Sequence, residues 1–460
     1  MRREYALLVC LAACGKSEPP ASAASGDTPA LAGFYQTEGY GIQVELTVDS
    51  LLKMSEVTAI SCVPSFLAKA VPAPPGAAAA YRLAKAPLTF LVLRDSTPGK
   101  IRIHFNGAAS DMVARRLDGR LPICDKPTPN TPVSNFDVFA ATWSEHYPFF
   151  ADKKTDWAAV VAANRPKITD QTKPESLFAV LRGMIEPLQD AHSGISAPDL
   201  SLRFNGSRSG ADRLDRSQFD RAYALVEKKY LNGPLRRFCE GKIEFAMIAK
   251  DVGYLRLRSF FGYHADESFE SGLAALEAAL DTIFTDAKRW RGLLIDVRIN
   301  GGGADPYGLA IAGRLTDRRY VAYAKQARMD PTDPGKWTPE QVSVVTPSTR
   351  PGFRGPVVEL IGIQSVSAAE TFTQALLGRR PKVVRVGENT QGVFSDVLGR
   401  TLPNGWRFGL PNERFVTDGK SYDGPGIPPD VQVPVFPPAD LESGRDRSLE
   451  AALKLIPAAR

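Results

Sequence analysis

Three short apolar runs constrain this chain more than anything else in it. They are Gly292–Val297, Pro356–Ile363 and Lys382–Val386, and helical patterns separate them. Such runs have no polar alternation, so both faces of each strand must be covered. Buried strands that alternate with helices imply an α/β fold around a largely parallel sheet. The helical signal is clearest where Phe269, Leu273, Leu276, Leu280 and Ile283 line one face. Val252-Gly-Tyr-Leu-Arg-Leu reads as a further strand ahead of that helix.

Other patterns precede this block. From Leu31 to Cys124 the chain looks β-like, with runs at 87–94 and 100–105 and the turn Asp95-Ser-Thr-Pro-Gly99 between them. Residues 31–124 are therefore expected to form a small β domain. Cys124 to Asn135 reads as a linker, and Asn135 is expected to cap the helix that follows. Phe136, Phe139, Trp143, Tyr147 and Phe150 recur at helical steps, as do Leu177, Leu181, Met184 and Leu188. Residues 125–200 are thus a linker and helical cap region, and 201–460 the core.

The N-terminus carries a different message. Arg2 and Arg3 precede a short apolar run, which ends in Leu11-Ala-Ala-Cys14. This is a signal-peptide pattern with a lipobox-like end. Residues 16–30 are rich in Ser, Pro and Ala, as a tether would be. Residues 1–30 are expected to be signal and tether, with Cys14 as the lipid anchor of an exported bacterial lipoprotein facing the periplasm. Of the five cysteines, Cys62, Cys124 and Cys239 remain; an exported protein can join Cys62 to Cys124, and the other pairings or three free thiols stay open. No Cys/His spacing suggests zinc. The net charge of +6 is spread without a basic stripe, which argues against nucleic acid.

Chemistry is expected where the run 356–363 meets the helix from Ala368. Ser365 and Ser367 stand at that junction. A hydroxyl nucleophile needs a rigid turn and nearby backbone N–H groups to hold an oxyanion, and a helix N-terminus offers both. The alternative is that the serines only cap the helix. Gly301–Gly303 follows the strand ending at Asp296, where it can serve as an oxyanion hole or a plain turn. It lacks the GxGxxG and GK[ST] patterns of nucleotide loops. Of the four histidines, His104 lies in a strand, His146 in an aromatic helix and His264 in a loop. His192 stands at a helix-to-loop break beside Asp190 and Ser193, and an imidazole is the usual base near neutral pH.

These pieces together resemble the tail-specific, or carboxyl-terminal processing, serine peptidases and their relatives in the tricorn core. The resemblance covers roughly residues 136–434. It rests on ordered motifs: Asp137-Val-Phe-Ala-Ala-Thr-Trp143, Leu188-Gln-Asp-Ala-His-Ser193, Leu294-Ile-Asp-Val-Arg-Ile-Asn-Gly-Gly-Gly303, Ser365-Val-Ser-Ala-Ala-Glu370, Gly387-Glu-Asn-Thr-Gln-Gly392 and Gly426-Ile-Pro-Pro-Asp430. It implies a crotonase-like spiral of ββα units. It also implies that Ser367 is the nucleophile, and that the N–H groups of Ala368 and Gly302 form the oxyanion hole. The processing branch uses a lysine as base, and Val393 stands in its place. The tricorn-like branch uses a histidine backed by an acid, and the matching residues are His192 and Asp423. The chain departs from that branch at Ala191, where tricorn has serine, and at Asp423, where it has glutamate. No cofactor is implied, and the substrate is a peptide or protein. Between Gly194 and Val252 there is no PDZ pattern, so a preference for protein tails does not carry over. A binding protein on an inactive peptidase scaffold is the alternative from another class.

Overall fold

A computed structural model describes residues 28–84, 88–211 and 215–458. The proposed signal peptide and Cys14 lie outside the described residues. The chain divides into two compact units. The first takes in the described residues up to Gly206, with Gln326–Gln341 and Ser395–Arg414. The second comprises Ser207–Lys325, Val342–Phe394 and Phe415–Arg460.

The first unit opens with a closed antiparallel barrel of eight strands, from Gly33–Thr37 to Met112–Leu117. The last strand pairs with the first, with Tyr35 opposite Arg116. Alternate residues point inward, so Val44, Leu52, Met54, Tyr81, Phe90, Val92 and Ile103 are buried. Closure leaves no strand edge to solvent. A disulfide joins Cys62, at the start of the fourth strand, to Cys124 beyond the barrel.

The helix Pro132–His146 follows. Its cap is Thr131, whose side chain accepts a hydrogen bond from the Ser134 N–H, and not Asn135. Pro132 explains the earlier start, because its fixed φ and missing N–H suit the first helical position. Asn135 lies inside the helix, where its side chain bonds Asn130 and the Thr131 carbonyl. The aromatic stripe packs as expected, with Phe139 against Phe408 and Trp143 against Trp157. A four-stranded sheet completes the unit, in the order Leu202–Asn205, Gly194–Ala197, Arg407–Pro411, Val397–Thr401.

The second unit is built on a seven-stranded sheet in the order Arg236–Phe238, Ile243–Ala249, Val252–Leu257, Gly292–Asp296, Val357–Ile361, Val384–Gly387, Val431–Gln432. Pairing is parallel from Val252–Leu257 onward. Every residue of Val252–Leu257, Gly292–Asp296 and Val357–Ile361 is buried. The runs at 292–297 and 356–363 are thus covered strands of an α/β fold, whereas the third run is only partly covered, with Lys382 exposed and Val384 and Arg385 half-buried.

Candidate active site

The serine and glycine turns lie side by side in the second unit. Beyond the main sheet, Ile299–Asn300 pairs in parallel with Gln364–Ser365, Asn300 opposite Ser365. The Val366 N–H donates to the Asn300 carbonyl at 2.9 Å. The approach is tight. Gly302 has φ +91°, and a Cβ there would sit 2.7 Å from Ser367 Cβ and 3.0 Å from the Ala368 nitrogen. Only glycine lets the two turns meet so closely.

The two serines have separate fates. Ser365 is fully buried, and its hydroxyl donates to the Val297 carbonyl at 2.7 Å and accepts from the Gly362 N–H at 3.1 Å. It locks the turn and cannot reach a ligand. Ser367 is half-buried, with φ 57° and ψ −121°, immediately before the helix Ala368–Leu376. That conformation costs a non-glycine residue about 1–3 kcal/mol and persists where the surroundings enforce it.

Glu370 supplies much of the enforcement, and sequence reasoning assigned it no role. It is fully buried. One carboxylate oxygen accepts from the N–H groups of Ser367 (3.3 Å) and Val393 (2.9 Å), the other from that of Gly392 (2.6 Å). Burial pushes its pKa up to about 7, against the pull of these bonds and of Thr390. The signal was present, since Ser-x-x-Glu at a helix start is a capping pattern. Val393 is buried and offers only its N–H to this clip.

In the two turns the N–H groups of Ala368, Gly301 and Gly303 make no hydrogen bond among the described residues. The Gly302 N–H donates to Asn300 Oδ1 at 2.9 Å. Asp423 lies in the same unit. Its carboxylate accepts from the Ser421 hydroxyl at 2.6 Å and from the Phe394 N–H at 3.3 Å.

His192 belongs to the first unit, on the turn between the helical block and the strand Gly194–Ala197. Asp190 organises that turn. Its carboxylate accepts from the His192 N–H at 2.9 Å and from the Tyr147 hydroxyl at 3.0 Å. The Gly206 N–H closes the turn on the Ser193 carbonyl, at 2.7 Å. Burial lowers the His192 pKa, while Asp190, Asp396 and the Ser395 backbone pull it back up. Its Nδ1 is buried and makes no hydrogen bond. The imidazole is therefore held neutral, with carboxylates placed to stabilise a proton once it arrives.

The other histidines are occupied or sequestered. His104 pairs with Asp111 at 2.9 Å, and His264 with Asp266 at 3.0 Å. His146 is buried, and burial with Arg400 and Arg328 holds its pKa well below the usual value.

Residues 251–433 match the family model "Peptidase family S41". That match makes residues 251–433 a peptidase S41 segment. The chain is a serine-type peptidase. A putative peptidase from Parabacteroides merdae ATCC 43184 shares 26% identity with this protein, over 72% of this chain and 98% of its own, with a TM-score of 0.60. Mature CPAF shares 14% over 71% and 96% of the two chains, with a TM-score of 0.53. CPAF complexed with lactacystin shares 13% over 71% and 97%, with a TM-score of 0.52. At those identities the CPAF structures share the fold alone. No curated protein matches the sequence.

Proposed function

We propose that this protein is an exported endopeptidase that works through an acyl-enzyme, with Ser367 as nucleophile and His192 as general base. The observation that carries the reading is Ser367 itself, held at φ 57° between a helix N-terminus and the glycine turn. In the reaction His192 takes the serine proton as Oγ attacks the peptide carbonyl, then returns it to the leaving amine. Asp423 orients or stabilises the imidazolium. The Ala368 N–H receives the developing oxyanion together with one amide of the glycine turn. Gly302 can serve only if its bond to Asn300 is released, whereas the Gly303 N–H carries no such bond. The scaffold is read as a crotonase-like spiral, and the chain as anchored to a membrane facing the periplasm by lipid on Cys14.

The test uses an internally quenched peptide and a fluorophosphonate probe. Ser367→Ala is expected to abolish both cleavage and labelling. His192→Ala is expected to reduce both by at least about a thousandfold without changing thermal stability. Full cleavage by either variant would refute its assignment.

A further inference from the structure

The eight-stranded barrel has no part in the reaction described so far, yet it connects with the turn that carries the base. The link runs through residues 395–413, within one compact unit. The strand Arg407–Pro411 pairs with the strand that follows His192, with Gly409 opposite Gly194 and Phe408 opposite Ile195. Its continuation, Asn412–Glu413, holds the corner Ser395–Asp396. The buried Ser395 hydroxyl accepts from the N–H groups of Asn412 (3.1 Å) and Glu413 (3.2 Å). The Asp396 N–H donates to Glu413 Oε2 at 3.0 Å.

The other end of the link is the barrel's first turn. The Tyr40 hydroxyl donates to Glu413 Oε1 at 2.7 Å, and Asn412 Nδ2 donates to the Gly39 carbonyl at 3.3 Å. Tyr40, Asn412 and Glu413 are all buried. One carboxylate therefore has an oxygen on the barrel and an oxygen on the corner. A buried charge whose bonds are satisfied at both ends resists displacement, because breaking either leaves it unpaired.

The corner and the His192 turn share that strand, because Gly409, opposite Gly194, lies three residues before Asn412. The charged groups that favour its protonation are Asp190, on its own turn, and Asp396, joined by the Ser395 backbone. The buried, unbonded Nδ1 leaves the ring dependent on such surroundings for its orientation.

We infer that the barrel is a built-in part of the catalytic apparatus: its first turn, through Tyr40 and Glu413, holds the Ser395–Asp396 corner against His192 and so positions the base. Tyr40, Glu413 and Asp396 are positioning residues. The inference rests on His192 being the base, and the experiment keeps the two apart.

The full-length protein is labelled with 13C-histidine. With four histidines in the chain, the His192 resonance is assigned by its loss in His192→Ala. Asp396→Asn and Tyr40→Phe are then titrated. Asp396→Asn changes an exposed residue, so it keeps the fold even if the buried Tyr40→Phe does not. Removing Asp396, or releasing the corner, takes away groups that favour the imidazolium. Both variants are expected to lower the His192 midpoint by roughly 0.3–1 pH unit. Both are also expected to lower kcat about tenfold with KM unchanged. A merely structural role would move neither the midpoint nor kcat once folding is verified. An unchanged midpoint in Asp396→Asn overturns the inference even if His192→Ala is inactive. Full activity of His192→Ala removes the base assignment, and the inference with it.

Discussion

Glu370 shows how much of an active site can rest on a side chain that touches no substrate. Three backbone N–H groups converge on its carboxylate. Such bonds to a buried charge are worth about 1.5–3 kcal/mol each, and a group facing only donors must be ionised to accept from all. Glu370→Gln would turn an amide NH2 toward backbone donors. The expected result is a loss of about 2 kcal/mol in transition-state stabilisation, or roughly thirtyfold in kcat, with slower fluorophosphonate labelling of Ser367. Normal labelling would show that the serine turn holds its shape without the clip. The pH dependence has a definite sign. With the carboxyl at about 7, labelling is expected to fall as pH drops through 7 and the clip loses an acceptor. Stability runs the other way: the fold binds this proton more tightly than the unfolded chain, so it loses stability as pH rises from the ordinary carboxyl range to about 7. The two serines were legible as a pair, but only tertiary bonds separate buried Ser365 from strained Ser367.

At the scale of elements, what the sequence revealed and what it hid have physical causes. Covered strands show as unbroken apolar runs because both of their faces are dry, and the hairpin turn at 95–99 sits between two strands that do pair. The start of the Pro132 helix was misplaced because a polar residue at the right spacing outweighed the proline ahead of it. The glycine turn could not be ranked locally, since its meaning depends on what it packs against. Gly303, at φ +144°, leaves no room: a Cβ would lie 2.0 Å from the Phe260 carbonyl oxygen, in the bridge that ties the turn to Phe260. Gly303→Ala is expected to cost at least about 2 kcal/mol and lower the melting temperature by roughly 4–8 °C. Gly183, inside the helix Pro174–Ile185 with nothing near its Cβ position, is the control. Gly183→Ala should stabilise by up to about 1 kcal/mol. Equal melting temperatures in the two variants would show that the turn can relax.

For the whole molecule, the limit on reading from sequence is distance along the chain. Barrel closure depends on pairing Gly33–Thr37 with Met112–Leu117, and no local pattern records that partnership. The two compact units are interleaved in the same way, and the chain passes between them after residues 206, 325, 341, 394 and 414. The disulfide is one long-range tie that composition did suggest. It spans 62 residues, and closing a loop of that size removes unfolded-chain entropy worth about 4 kcal/mol. It joins the barrel's fourth strand to the segment leading into the helical block, so both of its ends lie in the unit that carries His192. Cys62→Ser/Cys124→Ser is therefore expected to melt earlier by roughly 5–15 °C. If the barrel positions the base, activity should fall along the same melting curve, ahead of any loss at the strands around Ser367. Hydrogen exchange followed by segment would separate the two. Early exchange in the barrel and the His192 turn, with Gly292–Asp296 and Val357–Ile361 still protected, is the expected pattern. Simultaneous exchange in both units would mean that they unfold as one cooperative body.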